Sequence, residues 1–346
     1  MNRSTSRSGV VALAAASALV GLLELTTSAR AIAPSDQTVS DVAFGAGTSL
    51  WSVVEVQGSD GSIGTGTVIG KHQSGNNDYL TVLTADHVIC ATGNLGGAPV
   101  NGDVGFGSPQ PLNLNPYVVT ARGGSTGNED LAMLSVTVAA GAYAGVNPVT
   151  VVSPTIPNPY SGQAFTEYGY GDTGTSFTVA GINGYTEIAN STGTKRFQNN
   201  SSYAITIPTT NLSGNYAYQA VLWNTVAPAN NAGEGVSFPG DSGGPYMSSD
   251  SQNIVTVSTQ SGPVTISGLT NDEFAVHTFG FSTIPGTKVN NETAGGDFLT
   301  PADIAWITNN LNSSTPVPEP ASLAMLALAG TSLLLIRRTR GIGKRS

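Results

Sequence analysis

The feature that most constrains the fold of this chain is a series of short runs rich in Val, Thr, Ile and Tyr, separated by clusters of Gly, Asn, Ser and Pro. Such runs are typical of half-buried β-strands, and the residues between them favour turns. They span residues 50–57, 64–70, 79–85, 131–138, 148–152, 163–171, 202–208, 218–226, 253–260 and 275–284. Many short strands at this spacing indicate an antiparallel sandwich or barrel, so we predict an all-β fold.

One helix is predicted, over residues 300–311. Thr300 is a good N-cap, Pro301 suits the first helical position and Asp303 lies in the first turn. Apolar residues then follow at helical spacing: Ile304, Ile307 and Leu311. The polar stretch 185–216 is interpreted as an insertion or a long hairpin.

The N-terminus has the pattern of a secretory signal peptide. Arg3 and Arg7 precede an apolar run over 10–23, and small residues suited to cleavage follow near position 33. We therefore predict that residues 1–33 are removed on export.

The C-terminus has three parts in a fixed order. A linker, 312–320, ends in Pro-Glu-Pro, and a 16-residue apolar run, 321–336, is followed by five basic residues. The apolar run is shorter than the roughly 20 residues of a relaxed spanning helix, although tilting or snorkelling lets a shorter helix span. The basic cluster predicts that the terminus stays cytoplasmic.

This tail, 321–346 with its Pro-Glu-Pro motif, resembles the PEP-CTERM sorting signal of Gram-negative bacteria. In that family the tail is a temporary inner-membrane anchor processed by an exosortase-type enzyme, so the resemblance implies such an enzyme as a partner. The alternative is a plain C-terminal membrane anchor. Both interpretations place residues 34–316 outside the inner membrane, at the cell surface or in the extracellular matrix.

The exported part is strongly acidic. Two of the 22 acidic and eight of the 13 basic residues lie in the terminal segments, which leaves 20 acids and five bases in residues 34–316. A body with this charge is a poor partner for nucleic acid or an anionic membrane surface.

Cysteine and histidine are scarce. The single cysteine, Cys90, excludes an intrachain disulfide, so stability must come from core burial. No CxxC, HExxH or EF-hand pattern occurs, and we predict neither a metal site nor a cofactor.

The stretch SFPGDSGGPY, 237–246, encloses Asp241 and Ser242 in glycines and prolines. It is either a surface loop or a nucleophile turn whose amides point at a substrate. A serine nucleophile needs a base, and the three histidines are His72, His87 and His277. His72 lies in a polar loop, whereas His87 follows the apolar run 79–85. On its own, His87 is more typical of a satisfied core histidine.

Three motifs change that interpretation. LTADHVI around His87, NEDLAML around Asp130 and GDSGGP around Ser242 occur in the order His, Asp, Ser. They resemble the motifs of chymotrypsin-like (trypsin-fold) serine proteases. The resemblance implies that Ser242 is the nucleophile, His87 the general base and Asp130 its orienting carboxylate, with the amides of Gly240 and Ser242 as the oxyanion hole.

The same resemblance implies two six-stranded antiparallel Greek-key barrels. Residues 34–145 would form the first barrel and carry His87 and Asp130, and residues 146–311 would form the second barrel with its closing helix and carry Ser242. The site would lie in the cleft between them.

Two positions depart from the family pattern. In the family, the acid at Asp241 pairs with a new N-terminus made by activation cleavage, but no Ile-Val-Gly-Gly start is present here. Asp241 therefore needs either an unusual cleavage or another partner, such as a backbone amide or a side chain. Asp86 replaces the usual alanine beside His87 and would raise the pKa of His87 if it faced the site.

The resemblance also implies the substrate pocket. Val236 occupies the position where trypsins carry an acid, which disfavours cleavage after Lys or Arg and favours an apolar or small P1 residue. Residues 257–259, with Ser258, resemble the substrate-pairing strand, and His277 lies on a strand that resembles the pocket wall. His277 either receives an acidic P1 side chain, as in glutamyl endopeptidases, or faces outward.

The predicted function is an exported serine endopeptidase that acts on polypeptides through an acyl-enzyme. The alternatives are a catalytically silent surface or matrix protein and an esterase, both on the same fold.

Overall fold

The computed structural model of the chain describes residues 49–90, 97–107, 113–153, 164–179, 182–188, 192–206, 220–224, 236–259, 262–280, 287–289 and 293–313. The predicted signal peptide, 1–33, and the predicted tail, 321–346, lie outside these residues. Across the described ranges, no helix is both long and apolar enough to cross a membrane.

The first half is a closed barrel of six antiparallel strands. After a 3₁₀ turn, Ser49–Ser52, these are β1 (Val53–Gly58), β2 (Ile63–Ser74), β3 (Asn77–Thr84), β4 (Gly102–Phe106), β5 (Asn113–Arg122) and β6 (Ala132–Ala139). They pair in the order β1-β2-β3-β6-β5-β4, and the ring closes through β1 and β4. The all-β prediction is confirmed, and so is one six-stranded barrel.

Aliphatic side chains fill this barrel. Leu80 and Val82 of β3 and Leu134 and Val136 of β6 alternate along their strands and are fully buried. Burying one such side chain stabilises the fold by about 1.5–3 kcal/mol. The barrel is therefore a rigid support for the residues at its strand ends.

The described residues of the second half form ten strands. They are β7 (Thr150–Val151), β8 (Ala164–Gly169), β9 (Thr173–Val179), β10 (Ile182–Ile188), β11 (Arg196–Thr206), β12 (Ala220–Asn224), β13 (Pro245–Thr259), β14 (Gly262–Gly280), β15 (Thr287–Val289) and β16 (Thr293–Phe298). Seven form a sheet in the order β13-β8-β11-β12-β16-β14-β7, and three form a small sheet, β15-β10-β9. Because β13 also pairs with β14, six strands of the larger sheet form a closed ring of neighbours.

For the polar stretch 185–216, the interpretation as an insertion is wrong. The stretch contains the end of β10 and the whole of β11, and β11 pairs with β8 on one side and β12 on the other. A strand with two neighbours belongs to the body of the sheet and is not an insertion. Tertiary pairing overrides its low β propensity.

The C-terminal helix is confirmed, and α1 runs over Pro301–Ser313. Thr300 and Asp303 cap it reciprocally: the Asp303 amide donates to Thr300 Oγ1 at 3.3 Å, and the Thr300 amide donates to Asp303 Oδ2 at 2.9 Å. Ile307 is fully buried against the first barrel, and Leu311 packs partly buried against it. The helix therefore ties the end of the chain to the first half.

Candidate active site

His87 lies where a buried strand ends. β3 stops at Thr84, and residues 86–89 form a single 3₁₀ turn after the extended residue Ala85. Val88 and Ile89 are buried and anchor this turn, whereas the His87 side chain keeps 22% of its surface exposed. The imidazole is held by its backbone and still reaches solvent.

Asp130 binds His87 twice. It lies in the loop before β6, and its buried carboxylate accepts a 2.9 Å hydrogen bond at Oδ1 from the His87 amide. Its Oδ2 lies 2.6 Å from His87 Nδ1. A carboxylate can only accept, so Nδ1 carries the proton and Nε2 is left as the basic nitrogen.

The pKa of His87 is raised above its ordinary value. Burial on its own lowers the pKa, but the charge of Asp130 and its hydrogen bond raise it, with a smaller contribution from the charge of Asp86. This balance poises the imidazole to take a proton near neutral pH.

Asp86 does not act on His87 alone. Its carboxylate binds Arg122, with Asp86 Oδ1 2.5 Å from Nε and Oδ2 2.9 Å from Nη2. The same Nη2 lies 2.8 Å from the sulfur of Cys90, and burial raises the pKa of that thiol to about 11. Asp86 therefore forms a bidentate ion pair with Arg122, and its charge still makes a small contribution to the raised pKa of His87.

Ser242 sits in a tight turn that docks on the first barrel. Gly240 and Gly243 have φ of +98° and +85°, a backbone conformation that favours glycine. The Thr65 amide donates to the Ser242 carbonyl at 2.8 Å, and Thr65 Oγ1 donates to the Gly240 carbonyl at 2.9 Å. A Cβ on Gly243 would lie 2.0 Å from the Thr65 carbonyl and 3.1 Å from the Ala85 amide. Only glycine permits this approach.

These contacts bring Ser242 beside the His87 turn. A Cβ built on Gly64 of β2 would lie 2.4 Å from Val88 and 3.1 Å from the Ser242 carbonyl. Gly64 is therefore next to both the His87 turn and the Ser242 turn. Among the described residues, no hydrogen bond joins Ser242 Oγ to His87. Catalytic hydrogen bonds of this kind are often long until substrate binds.

Asp241 is a buried brace beneath the turn. Its side chain is fully buried and accepts 2.9 Å hydrogen bonds from the Gly171 and Phe238 amides. Burial raises the pKa of Asp241 to about 7, while the two amides and the charge of Arg196 oppose that rise. The partner of Asp241 is thus a pair of backbone amides, one of the alternatives that the sequence left open.

The amides of the turn divide into two groups. The Asp241 amide donates to the Phe238 carbonyl, and the Gly243 amide donates to the His277 carbonyl at 2.8 Å. No described residue accepts from the amides of Gly240 and Ser242. Two uncommitted N–H groups flanking a serine are what an oxyanion hole requires.

Val236 is buried in a small apolar cluster with Tyr185 and Phe238. The next residue, Ser237, is also buried, and its hydroxyl lies 3.3 Å from Glu167 Oε2. The pKa of Glu167 is raised well above its ordinary value, first by burial and then by the charge of Asp241. A buried valine and a buried serine therefore precede the turn, and a buried acid with a raised pKa lies next to them.

His277 is buried, so the outward-facing interpretation is wrong. Its backbone pairs with the residues after the serine: the His277 amide donates to the Gly244 carbonyl at 2.8 Å. Its Nδ1 lies 2.7 Å from Tyr246 Oη and 3.1 Å from Glu167 Oε1. Partners inside the protein already engage this nitrogen.

The register does not bring Ser258 to the site. Ser258 pairs with Pro263, close to the turn between β13 and β14, whereas Pro245 at the other end of β13 pairs with Val276. Twelve residues separate Pro245 from Ser258 along β13, and the pairing shifts register three times over that stretch. The strand that flanks the serine turn is instead the segment around His277, which corrects the expectation for 257–259.

Three buried ionisable residues lie around the Ser242 turn and the His87–Asp130 pair, and sequence reasoning missed all three: Glu167, Arg196 and Asp297. Each lies on a strand whose neighbours decide its burial, and no local motif marks any of them. In the described ranges, no group of three or more His, Cys, Asp or Glu side chains is arranged to hold a metal ion.

No protein-family model matches the chain, and no curated protein sequence matches it. Solved structures do resemble it. A thermostable serine protease from an extremophilic microorganism is 14% identical with a TM-score of 0.43, over 76% of this chain and 96% of the other. The protease Anisep from Arthrobacter nicotinovorans is 17% identical with a TM-score of 0.43, over 75% and 94%.

Human heparin binding protein is also similar, at 14% identity and a TM-score of 0.45, over 77% of this chain and 94% of the other. Likeness at this level carries no weight for the reaction, because one fold hosts many functions. Function has to come from the site itself.

Proposed function

We propose that this chain is a serine endopeptidase that hydrolyses peptide bonds through an acyl-enzyme. The observation that carries the proposal is the docking of the Ser242 turn, through Thr65, beside a His87 whose Nδ1 is bound to Asp130 at 2.6 Å. A nucleophile turn and a histidine oriented by a buried carboxylate are the components of Ser-His-Asp catalysis.

In the first step, the Ser242 oxygen attacks the carbonyl carbon of the scissile bond while its proton moves to His87 Nε2. Asp130 holds the other ring nitrogen and stabilises the imidazolium that forms. His87 then gives the proton to the leaving amine, and the C–N bond breaks. Water repeats the sequence on the acyl-enzyme, so that the carboxylate product leaves and Ser242 regains its proton.

The amides of Gly240 and Ser242 are proposed to bind the oxyanion that develops in each step. Removing one such donor typically costs about 3 kcal/mol of transition-state stabilisation. Asp241 supports the geometry, because its hydrogen bonds tie Phe238, just before the turn, to Gly171 in the loop between β8 and β9. This brace requires no newly cleaved N-terminus.

The ring β13-β8-β11-β12-β16-β14 is proposed to be the second barrel. Its pairs are all antiparallel, and it supplies the Ser242 turn while the first barrel supplies His87 and Asp130. The site then lies at the junction of the two halves.

For specificity, we propose an apolar or small P1 residue. Val236 offers no counter-ion to Lys or Arg, and the raised pKa of Glu167 keeps that nearby acid protonated. An acidic P1 residue is disfavoured because the His277 side chain is buried and its Nδ1 lies 2.7 Å from Tyr246 Oη. Cuts predominantly after Lys, Arg, Asp or Glu in a peptide-library digest would contradict this proposal.

We further propose that the chain is exported through its N-terminal signal and held, at least transiently, in the inner membrane by residues 321–336, with an exosortase-type enzyme processing the tail. The terminal patterns in the sequence support this location. Fractionation of cells that express the full chain tests it, with the serine-containing part expected outside the inner membrane.

The activity itself is tested by digestion of an unfolded protein substrate with the purified chain and with Ser242→Ala. We expect peptide products from the first and a loss of kcat on the order of 10⁶-fold for the second. Turnover of small esters without any peptide hydrolysis would favour the esterase, and no turnover of either would favour the silent protein.

A further inference from the structure

A second buried aspartate lies directly behind Asp130. Asp297 belongs to β16, in the second half, and its Oδ2 accepts a 3.2 Å hydrogen bond from the Asp130 amide. The Asp297 side chain is fully buried, and its Oδ1 has no hydrogen-bond partner among the described residues. One carboxyl of the second half thus holds the backbone of the residue that orients His87.

The ionisable groups that face Asp297 are all acidic. They are Asp130 and Glu129 from the loop before β6, and Asp303 from α1. Burial is the largest influence and raises the pKa of Asp297 well above its ordinary value, and the three neighbouring charges raise it further. Only the hydrogen bond from the Asp130 amide opposes this.

The loop that carries Asp130 has a second attachment. Asp303 accepts a 3.2 Å hydrogen bond from the Ser125 amide, and Glu129 accepts one of the same length from the Thr126 amide. The loop is therefore tied to α1 and to β16 through carboxyl oxygens. Asp297 differs from the others because it alone bonds to Asp130 itself.

We propose that Asp297 is a positioning residue that acts as a neutral carboxylic acid, holding the Asp130 backbone in place without adding a second negative charge behind the His87–Asp130 pair. This rests on the proposed function, in which Asp130 orients His87. Neutrality matters because a second charge would raise the pKa of His87 and leave more of it protonated, and so unable to act as a base, near pH 7.

Two variants with the same branching at Cγ separate the two roles of Asp297. Asp297→Asn is nearly isosteric, keeps the acceptor and is always neutral, whereas Asp297→Leu removes the acceptor and is somewhat larger. We expect Asp297→Leu to lower kcat by about 3–10-fold with KM unchanged, the effect of one lost hydrogen bond, and Asp297→Asn to restore kcat to within about two-fold.

The pKa of His87 is the second readout, followed by NMR in the purified full chain carrying Ser242→Ala, where no turnover is needed. Asp297→Asn should leave this pKa within about 0.3 units of the parent, since removing a neutral group removes no charge. A fall of about one unit or more would show that Asp297 is ionised and would overturn the proposal.

Equal kcat for Asp297→Leu and the parent would also overturn it, because no positioning would then depend on the acceptor. If Asp297→Leu does not fold, Asp297→Asn still decides the charge state. A parent chain that shows no turnover would refute the proposed function, yet the titration of His87 would still test Asp297 separately.

Discussion

The two halves of the molecule bury different chemistry. Around the first barrel, the core is aliphatic, and Asp86 and Asp130 are buried but paired with Arg122 and His87. Glu55 and Glu129 are exceptions, because burial raises the pKa of each to about 7. Among its described side chains, the second half has smaller apolar clusters and buries several ionisable groups: Glu167, Lys195, Arg196, Glu273 and Asp297.

This difference means that the stability of the two halves depends on pH to different extents. Apolar packing does not depend on pH, so the barrel holds His87 and Asp130 equally well across the range where a histidine base works. Buried acids with a raised pKa bind protons in the folded state that they release on unfolding. The half that supplies Ser242 holds more of these acids, namely Glu167, Asp241, Glu273 and Asp297, so its stability should depend more strongly on pH.

The largest effect in this comparison is expected in the first half, which holds both His87 and Asp130. Asp130→Asn should lower kcat about 10⁴-fold, because a neutral amide no longer selects the His87 tautomer with a basic Nε2. Steady-state kinetics on a peptide substrate measures this, and circular dichroism checks that the fold is retained. A kcat close to that of the parent would remove Asp130 from the mechanism.

The next effect concerns the apolar half. Leu134 is fully buried in the barrel, and Leu134→Ala should lower the free energy of unfolding by about 3 kcal/mol. Urea denaturation should give the same loss at about pH 5 and about pH 8, since no titrating group is removed. A loss that differs strongly between the two pH values would contradict an apolar, pH-independent barrel.

Glu273 tests the second half. It is fully buried on β14, where burial raises its pKa well above the ordinary 4.5 and an interaction with the Thr67 hydroxyl opposes that rise. Folded Glu273 keeps its proton while the unfolded residue loses it, so the free energy of unfolding falls as pH rises above 4.5.

Glu273→Gln removes that dependence. The variant should gain stability over the parent by up to about 1.4 kcal/mol for each pH unit above the unfolded pKa, and little below it. Urea titrations at several pH values measure the gain, and Glu187→Gln, a change of a partly exposed acid in the same half, is the control. A gain that does not grow with pH would contradict the buried, protonated state.

The smallest effect concerns the paired acid beside the base. His87 must be neutral to act, and its pKa is raised above 6.5, so kcat/KM should rise with pH through a midpoint above that value. Asp86→Asn should move the midpoint down by about half a unit or less, because the charge of Asp86 is the smallest of the influences that raise the pKa of His87. A larger shift would mean that Asp86, and not mainly Asp130, sets the pKa of His87.

The sequence predicted the parts of the site that have local signatures. His87 follows an apolar strand, and Ser242 lies among glycines that a tight turn requires, so both could be found without coordinates. α1 could also be predicted, because Thr300 and Asp303 mark its start.

What could not be predicted depends on distant pairing. β16 contains Gly295, Gly296 and Asp297, which have low β propensity, and it is a strand only because β12 and β14 flank it. The role of Asp297 follows from that placement. Ser258 was expected near the site because its surroundings look like a substrate-pairing strand, but the length of the β13–β14 hairpin sets its position.

The most direct test of a serine nucleophile beside an oriented histidine is labelling with a fluorophosphonate, followed by mapping of the modified peptide by mass spectrometry. We predict one adduct, on Ser242, that is lost in Ser242→Ala and strongly slowed in Asp130→Asn. Folded protein that does not react, or an adduct on any other residue, would contradict the proposed mechanism.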